Sequence, residues 1–271
     1  MRRLFSVLLG VAAVVAAFAT GQITERIVDN GVDKGMATCL LELDSVTFSE
    51  LEGRIPKKLS STALWRGYIG HWKIENDSLF LDSVMVGAQG ASRFVPAAID
   101  DIYASRRTPS GYFADWVSDT LRVVSGDFVR YVHMGWKSDW ENEEYVVVEG
   151  GLVKDRVVYH NRVANPVAEG DARKVIDSLA LGYIPKRMML RIGYQCFDGV
   201  ENPAACIAEI VHSCGDAAVD DRVVQAINAP AVMRRLVPVY YIRGQYCSPQ
   251  IDLLIPASRG HNDASNYSTL P

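Results

Sequence analysis

The alternation of apolar and polar positions carries the first signal in this chain. Tyr68 to Glu75 (YIGHWKIE) alternates large apolar with polar or small groups, and Leu79 to Val84 (LFLDSV) resumes after Asn76-Asp77. A period of two marks a half-buried strand, and Asn and Asp tolerate the left-handed backbone of a tight turn, so a hairpin is predicted. Thr120 to Val124, Ser125-Gly126 and Phe128 to His133 repeat the arrangement. Glu144 to Glu149, Gly150-Gly151 and Leu152 to Tyr159 repeat it again. Residues after the N-terminal apolar run, as far as Thr62, are mixed and weakly periodic. Gly87 to Ser92 and the stretch through Pro109 read as a surface excursion or as a short helix around Ala97 to Ser105.

The period changes near Asn165-Pro166. Ala168 to Leu181 sets Val175, Ile176, Leu179 and Ala180 on one stripe, an amphipathic helix with Gly182 as its stop. Met188 to Phe197 reads as a strand, Asp198-Gly199 as a turn and Cys206 to His212 as a second strand. Asp216 or a neighbour can cap a helix running to about Asn228, with Val219, Val223 and Ile227 on one face. Leu236 to Ile242 and Gln250 to Ile255 form a last pair of strand-like runs around Gly244. The predicted class is therefore α+β. A β-rich domain of hairpins spans 20–164, a small αββαβ domain spans 165–256, and a polar flexible tail covers 257–271.

The N-terminus bears on compartment. Arg2 and Arg3 precede an apolar run from Leu4 to Ala19, and Ala17-Phe18-Ala19 supplies the small–x–small pattern read by signal peptidase. The run is shorter than the roughly 20 residues of a spanning helix. Residues 1–19 are thus expected to be a signal peptide, with a mature chain starting near Thr20 in the periplasm or otherwise exported. Membrane contact is expected only if the segment stays uncleaved. Composition adds exclusions: 271 residues, 49% hydrophobic, 22% charged and net charge −4 rule out collagen-like, coiled-coil and wholly disordered chains and leave no basic footprint for nucleic acid.

Export also changes the reading of the five cysteines. Cys196, Cys206, Cys214 and Cys247 crowd the last third, which in an oxidising compartment suggests disulfides, while Cys39 is left over. A hairpin turning near Val200-Glu201-Asn202 would set Cys196 opposite Cys206 within bridging range, a link stabilising by about 2–3 kcal/mol. Cys214 with Cys247 is the second pairing. No C-x2-C spacing occurs and His212 is the only nearby histidine, so no metal or cofactor is expected.

The helix–strand–strand–helix–strand order, the passage Ser213-Cys214-Gly215-Asp216-Ala217-Ala218-Val219-Asp220, and Arg243-Gly244-Gln245 before an apolar strand ending at Pro256 resemble the TonB C-terminal domain family over about residues 168–256. The Tyr-Pro opening of that family is missing, unless Tyr183-Ile184-Pro185 is a shifted echo, and so is its long Pro-rich linker. The resemblance implies a small sheet whose edge accepts an extended peptide from an envelope partner. The N-terminal half, with Trp65-Arg66-Gly67-Tyr68-Ile69-Gly70-His71-Trp72 and Tyr131-Val132-His133-Met134-Gly135-Trp136, resembles an uncharacterised bacterial family and implies no activity.

His71, Asp115, Asp119, His133, Asp139 and Glu141 are the titratable groups that could support acid–base chemistry, with His133 as base and Asp115 or Asp119 as its orienting carboxylate. No G-x-S-x-G, H-E-x-x-H or P-loop accompanies them. All five tryptophans lie in the N-terminal half. Trp72 and Trp116 suit a core, whereas Trp136 and Trp140 sit among polar residues and suit an exposed loop. The sequence therefore reads as an exported cell-envelope binding protein whose partner is a protein or peptide and not nucleic acid. Its candidate contacts are Trp136, Trp140 and the final strand, Gln250, Ile251, Asp252, Leu253, Leu254 and Ile255. A secreted hydrolase with its site near His133 and Asp115 is the alternative.

Overall fold

The computed structural model describes residues 21–56, 61–87, 93–167, 171–195 and 205–258. The expected cleavage site before Thr20, Cys196, the Asp198-Gly199 turn and the tail from residue 259 lie outside them.

The chain begins with a hairpin, β1 (Glu25–Asp29) and β2 (Val32–Met36), turning at Asn30 and Gly31 with φ of 50° and 76°. Helix α1 (Ser45–Glu52) follows, capped by Asp44, whose Oδ1 accepts from Thr47 N–H at 3.2 Å. Then come β3 (Tyr68–Glu75) and β4 (Ser78–Gly87), joined through Asn76 and Asp77 at φ of 52° and 55° as their sequence predicts. Short strands β5 (Phe94–Pro96), β6 (Arg107–Thr108) and β7 (Gly111–Phe113) edge β4. Only a single 3-10 turn, Ala104–Arg106, forms where a short helix was one of two expectations. Long strands β8 (Asp119–Arg130), β9 (Asp139–Glu149) and β10 (Leu152–His160) complete a ten-stranded sheet in the order β10-β9-β8-β2-β1-β3-β4-β7-β6, with β5 on β4.

The sheet curls until its two predicted turns meet. Leu152 pairs with Ser78, and Leu79 N–H donates to Gly151 O at 2.8 Å. Gly151 makes that approach possible: its φ is +78°, and a Cβ there would sit 2.8 Å from Ala114 O. Gly151→Ala is therefore expected to cost at least about 1–2 kcal/mol in thermal or denaturant unfolding.

One predicted hairpin does not exist. Ser125-Gly126 lies inside β8, and the register against β9 slips between Ser125 and Phe128. Gly126 has φ +81°, and a bulge takes such a glycine as readily as a turn does. Inside the curl the core holds Trp72, Tyr68 and Tyr103 at 1%, 0% and 0% exposure, and Trp116 packs half-buried against it, so both tryptophans expected in the core contribute to it.

After β11 (Arg162–Asn165) the chain forms α2 (Asp171–Ser178), β12 (Met188–Gln195), β13 (Ala205–His212) and α3 (Ala217–Ile227). Asp216 caps α3 as expected, its Oδ1 accepting from Ala218 and Val219 N–H at 3.0 and 3.2 Å. The predicted strand Leu236–Ile242 forms only from Val239 onward. Pro230 opens a further helix, α4 (Pro230–Leu236), a position where its missing N–H costs nothing. Strands β14 (Val239–Ile242), β15 (Gln245–Cys247) and β16 (Ile251–Ile255) end the described fold. β14 and β15 form a three-stranded sheet with β11, while β16 joins the other sheet in the order β13-β12-β16. Strands dominate this mixed α/β structure, and a second core gathers Val175, Met188, Leu190, Val223, Ile227, Met233 and Ile255.

The cysteine pairings take their measure from these ladders. Cys39, Cys214 and Cys247 are free thiols. The Cys214–Cys247 link is corrected: Cys214 is buried in the second core beside α3, whereas Cys247 lies on β15, opposite Tyr240. The β12–β13 register places Cys206 opposite Tyr194 and not opposite Cys196. Among the described residues no helix is long and apolar enough to cross a membrane.

Candidate functional site

The two halves meet at a charged cluster. Arg122 on β8 holds Glu143 on β9 through two bonds, Nη2 to Oε1 at 2.6 Å and Nε to Oε2 at 3.1 Å. Its remaining donors reach Trp136 O at 2.7 Å and Ser138 O at 2.9 Å, fixing the loop between β8 and β9. Arg130 binds Asp139 Oδ2 at 2.7 Å. Arg243 enters from the other half, from a turn in which its own φ is 49° and that of Gly244 is 83°. Its Nη1 bonds Asp139 Oδ1 at 2.9 Å and Glu143 Oε2 at 3.0 Å. Its N–H donates to Asn161 Oδ1 at 2.8 Å, and Asn161 Nδ2 donates to Trp140 O at 2.7 Å. Burial would raise the Glu143 carboxyl, but hydrogen bonds and charge from Arg122, then Arg243, outweigh it and hold it below the ordinary value. Two carboxylates locked by three guanidiniums leave no free base. This cluster joins the halves.

A second buried group sits at the start of β1. Glu25 is fully buried, and its Oε2 accepts from Trp72 Nε1 at 2.6 Å. Arg66 Nε lies 3.7 Å from Glu25 Oε1, an ion-pair contact too long for a hydrogen bond, and Oε1 has no hydrogen-bond partner. Burial pushes the Glu25 carboxyl up to about 7 despite Arg66 and the Trp72 hydrogen bond, with Glu42 adding to the rise. Cys39 nearby is pushed up to about 12, first by burial and then by the charge of Glu25, so it is a thiol and not a nucleophilic thiolate at neutral pH. A cavity of about 680 Å³ lies beside this cluster, lined by Glu42, Phe48, Ile55, Trp65 and Arg66.

The predicted catalytic pair is not brought together. Asp115 precedes β8 and binds Arg106 Nε at 2.6 Å, whereas His133 follows β8, its Nδ1 3.0 Å from Tyr131 OH. The twelve residues of β8 separate them in the chain, and their hydrogen bonds go to different partners. Asp119 shares the Asp115 end and Asp139 is locked by arginines, while His71 on β3 is half-buried and its pKa is lowered by that burial. Among the described residues no group of His, Cys, Asp or Glu has the arrangement of a metal site.

Trp136 and Trp140 are half-buried, and each has a structural task. Arg66 lies over the Trp136 ring at 5.2 Å, and Trp136 Nε1 reaches Ile23 O at 3.4 Å. Trp140 stacks between Arg122 at 5.2 Å and Phe128 at 5.1 Å.

The final strand presents a different surface. β16 runs antiparallel to β12, with Ile255 opposite Met188, Leu253 opposite Leu190 and Ile251 opposite Ile192. Its side chains alternate: Leu253 and Ile255 enter the second core at 6% and 0% exposure, whereas Asp252 and the 51% exposed Leu254 point to the other face. There Asp252 pairs with Arg191 Nε at 2.9 Å, and Leu254 lies opposite Met189. Gln250 precedes the strand and is exposed. Among the described residues β16 pairs with β12 on one side and with no strand on the other. This short, apolar, alternating edge has the form that accepts a further strand.

The buried charges were missed from sequence, since Glu25 and Arg66 are brought together by the parallel pairing of β1 with β3, a contact that leaves no local pattern. Comparison with protein-family models, with curated proteins and with solved structures found no match.

Proposed function

We propose that this chain is an exported cell-envelope binding protein whose C-terminal module, similar to the TonB C-terminal domain, docks an extended segment of a protein partner along β16. The observation that supports this most is the one-sided pairing of β16 combined with its alternation of buried and exposed apolar residues. An added strand would take its affinity from main-chain hydrogen bonds and its selectivity from side chains beside Leu254 and Met189. Binding rather than hydrolysis is the favoured class, because His133 and Asp115 occupy opposite ends of β8 and the buried acids Asp139 and Glu143 are held by arginines.

Leu254→Lys tests this directly. The residue is half-exposed, so the fold should hold, while a lysine at an edge opposes strand addition. Affinity capture from envelope extracts is expected to lose the partner with Leu254→Lys and to retain it with Val32→Lys, an equally exposed site on β2. Identical recovery with both variants would remove β16 as the docking edge.

A further inference from the structure

The strip Gly21–Thr24 joins the N-terminal apolar run to the fold, and it is tied down on both sides. Gln22 N–H donates to Gly135 O and Ile23 N–H to Ala63 O, each at 2.8 Å. Ile23 O accepts from Arg66 Nη2 at 2.9 Å and from Trp136 Nε1 at 3.4 Å, and Trp65 N–H donates to Gln22 Oε1 at 3.2 Å.

Around this strip the fold leaves large apolar groups in water: Ile23 at 40% exposure, Trp65 at 60%, Phe128 at 53%, Tyr131 at 54% and Met134 at 48%. Phe128 lies 5.5 Å from Tyr131 and 5.1 Å from Trp140, and a cavity of about 310 Å³ opens between these three rings and the strip, Ile23 included, while Trp65 and Met134 flank the strip through the chain segments bonded to it. A contiguous patch of this kind marks an interaction surface. Rings with an apolar body and a polar tip, such as Tyr and Trp, settle at the level of lipid headgroups.

The chain itself says which surface lies near. The uncharged run Leu4–Ala19 ends two residues before Gly21. Two residues of extended chain span at most about 7 Å. Whatever takes up an uncleaved run therefore begins within about 7 Å of Gly21.

We propose that the aromatic face around Gly21–Thr24 seats on the lipid bilayer that the N-terminal apolar run enters, with Trp65, Phe128, Tyr131 and Met134 at headgroup depth. The inference rests on the case in which the N-terminal run stays uncleaved, the one case in which membrane contact is expected, and is independent of docking at β16. Lys137 and His133 are exposed on the same loop, as is Asp127 beside Phe128, so vesicles of zwitterionic and of anionic composition are both needed.

The test places a diazirine amino acid at Phe128 of the full chain, reconstituted in phosphatidylcholine vesicles with and without phosphatidylglycerol, and reads the photoproducts by mass spectrometry. The same probe at Val32, 55% exposed at the far end of the β1–β2 hairpin, is the control. Lipid adducts as the dominant product at position 128, with position 32 near background, are expected; a probe at Met134 repeats the measurement if the Phe128 variant folds poorly. Adducts confined to residues 4–19 of the same chain, to a second copy or to water, or equal lipid labelling at both positions, would overturn the proposal.

Discussion

Replacing Glu143 with alanine is expected to destabilise the protein by about 3–5 kcal/mol, the cost of breaking a buried charge cluster from one side. Glu143 is fully buried and is bonded by Arg122 and Arg243. Without it those two guanidiniums would share Asp139, which Arg130 already occupies. Because Arg243 reaches in from the opposite half, the loss should reach the second core as well. Chemical denaturation followed by tryptophan fluorescence, which reports the first half only, and by far-ultraviolet circular dichroism should show both transitions moving to lower denaturant. A Glu143→Ala protein as stable as the parent would mean the cluster does not hold the halves together. Arg243→Met, an apolar side chain of comparable reach, should cost less than Glu143→Ala, since Arg122 and Arg130 remain to neutralise the two acids.

The second large effect is one of pH. The Glu25 carboxyl stands near 7 in the folded protein against an ordinary value of 4.5. Between those values the folded state keeps a proton that the unfolded chain releases, so the contribution of Glu25 to stability is greatest below about 4.5 and falls as pH rises towards 7. Between pH 5 and pH 8 this one group should remove about 2–3 kcal/mol. Glu25→Gln can still accept from Trp72 and carries no titration, so its stability should decline less across that range. His71, whose pKa burial lowers, acts in the opposite sense near its ordinary value, and it is unchanged in the variant. The difference between the two pH curves therefore isolates Glu25. Parallel curves would show that Glu25 titrates as an ordinary carboxylate.

Much of the fold was legible because turn chemistry and periodicity agreed. Asn76-Asp77 and Gly150-Gly151 mark hairpins whose flanking strands alternate cleanly, and Asp216 caps a helix whose apolar stripe is correctly placed. The β1–β2 hairpin escaped notice although Asn30-Gly31 is a strong turn signal. Its alternation is inverted: Glu25 and Asp29 are buried, while Val28 and Val32 are 40% and 55% exposed. Asp29 can be buried because Arg156 and Lys34 bond it at 2.7 and 3.3 Å, partners supplied from β10 and β2. Ser125-Gly126 misled for a different reason, since the same positive φ serves a bulge and a turn.

The site was legible in part. An apolar terminal strand with loose flanks reads as an edge, and β16 is one. Trp136 and Trp140 were expected on an exposed loop; both are half-buried, Trp140 within β9, because they pack against Arg66 and Arg122 through strand pairings that sequence spacing does not record. The exposed apolar groups Ile23, Trp65, Phe128, Tyr131 and Met134 come from distant parts of the sequence, and only the folded chain gathers them.

The docking reading is tested most directly by a photo-crosslinking amino acid at Leu254 in cells that export the protein. A strand added to β16 would place its side chains about 5 Å from this position. A discrete adduct with one envelope protein at Leu254, absent when the probe is moved to Val32, is the predicted result. No adduct at Leu254, or the same adducts at both positions, would contradict it.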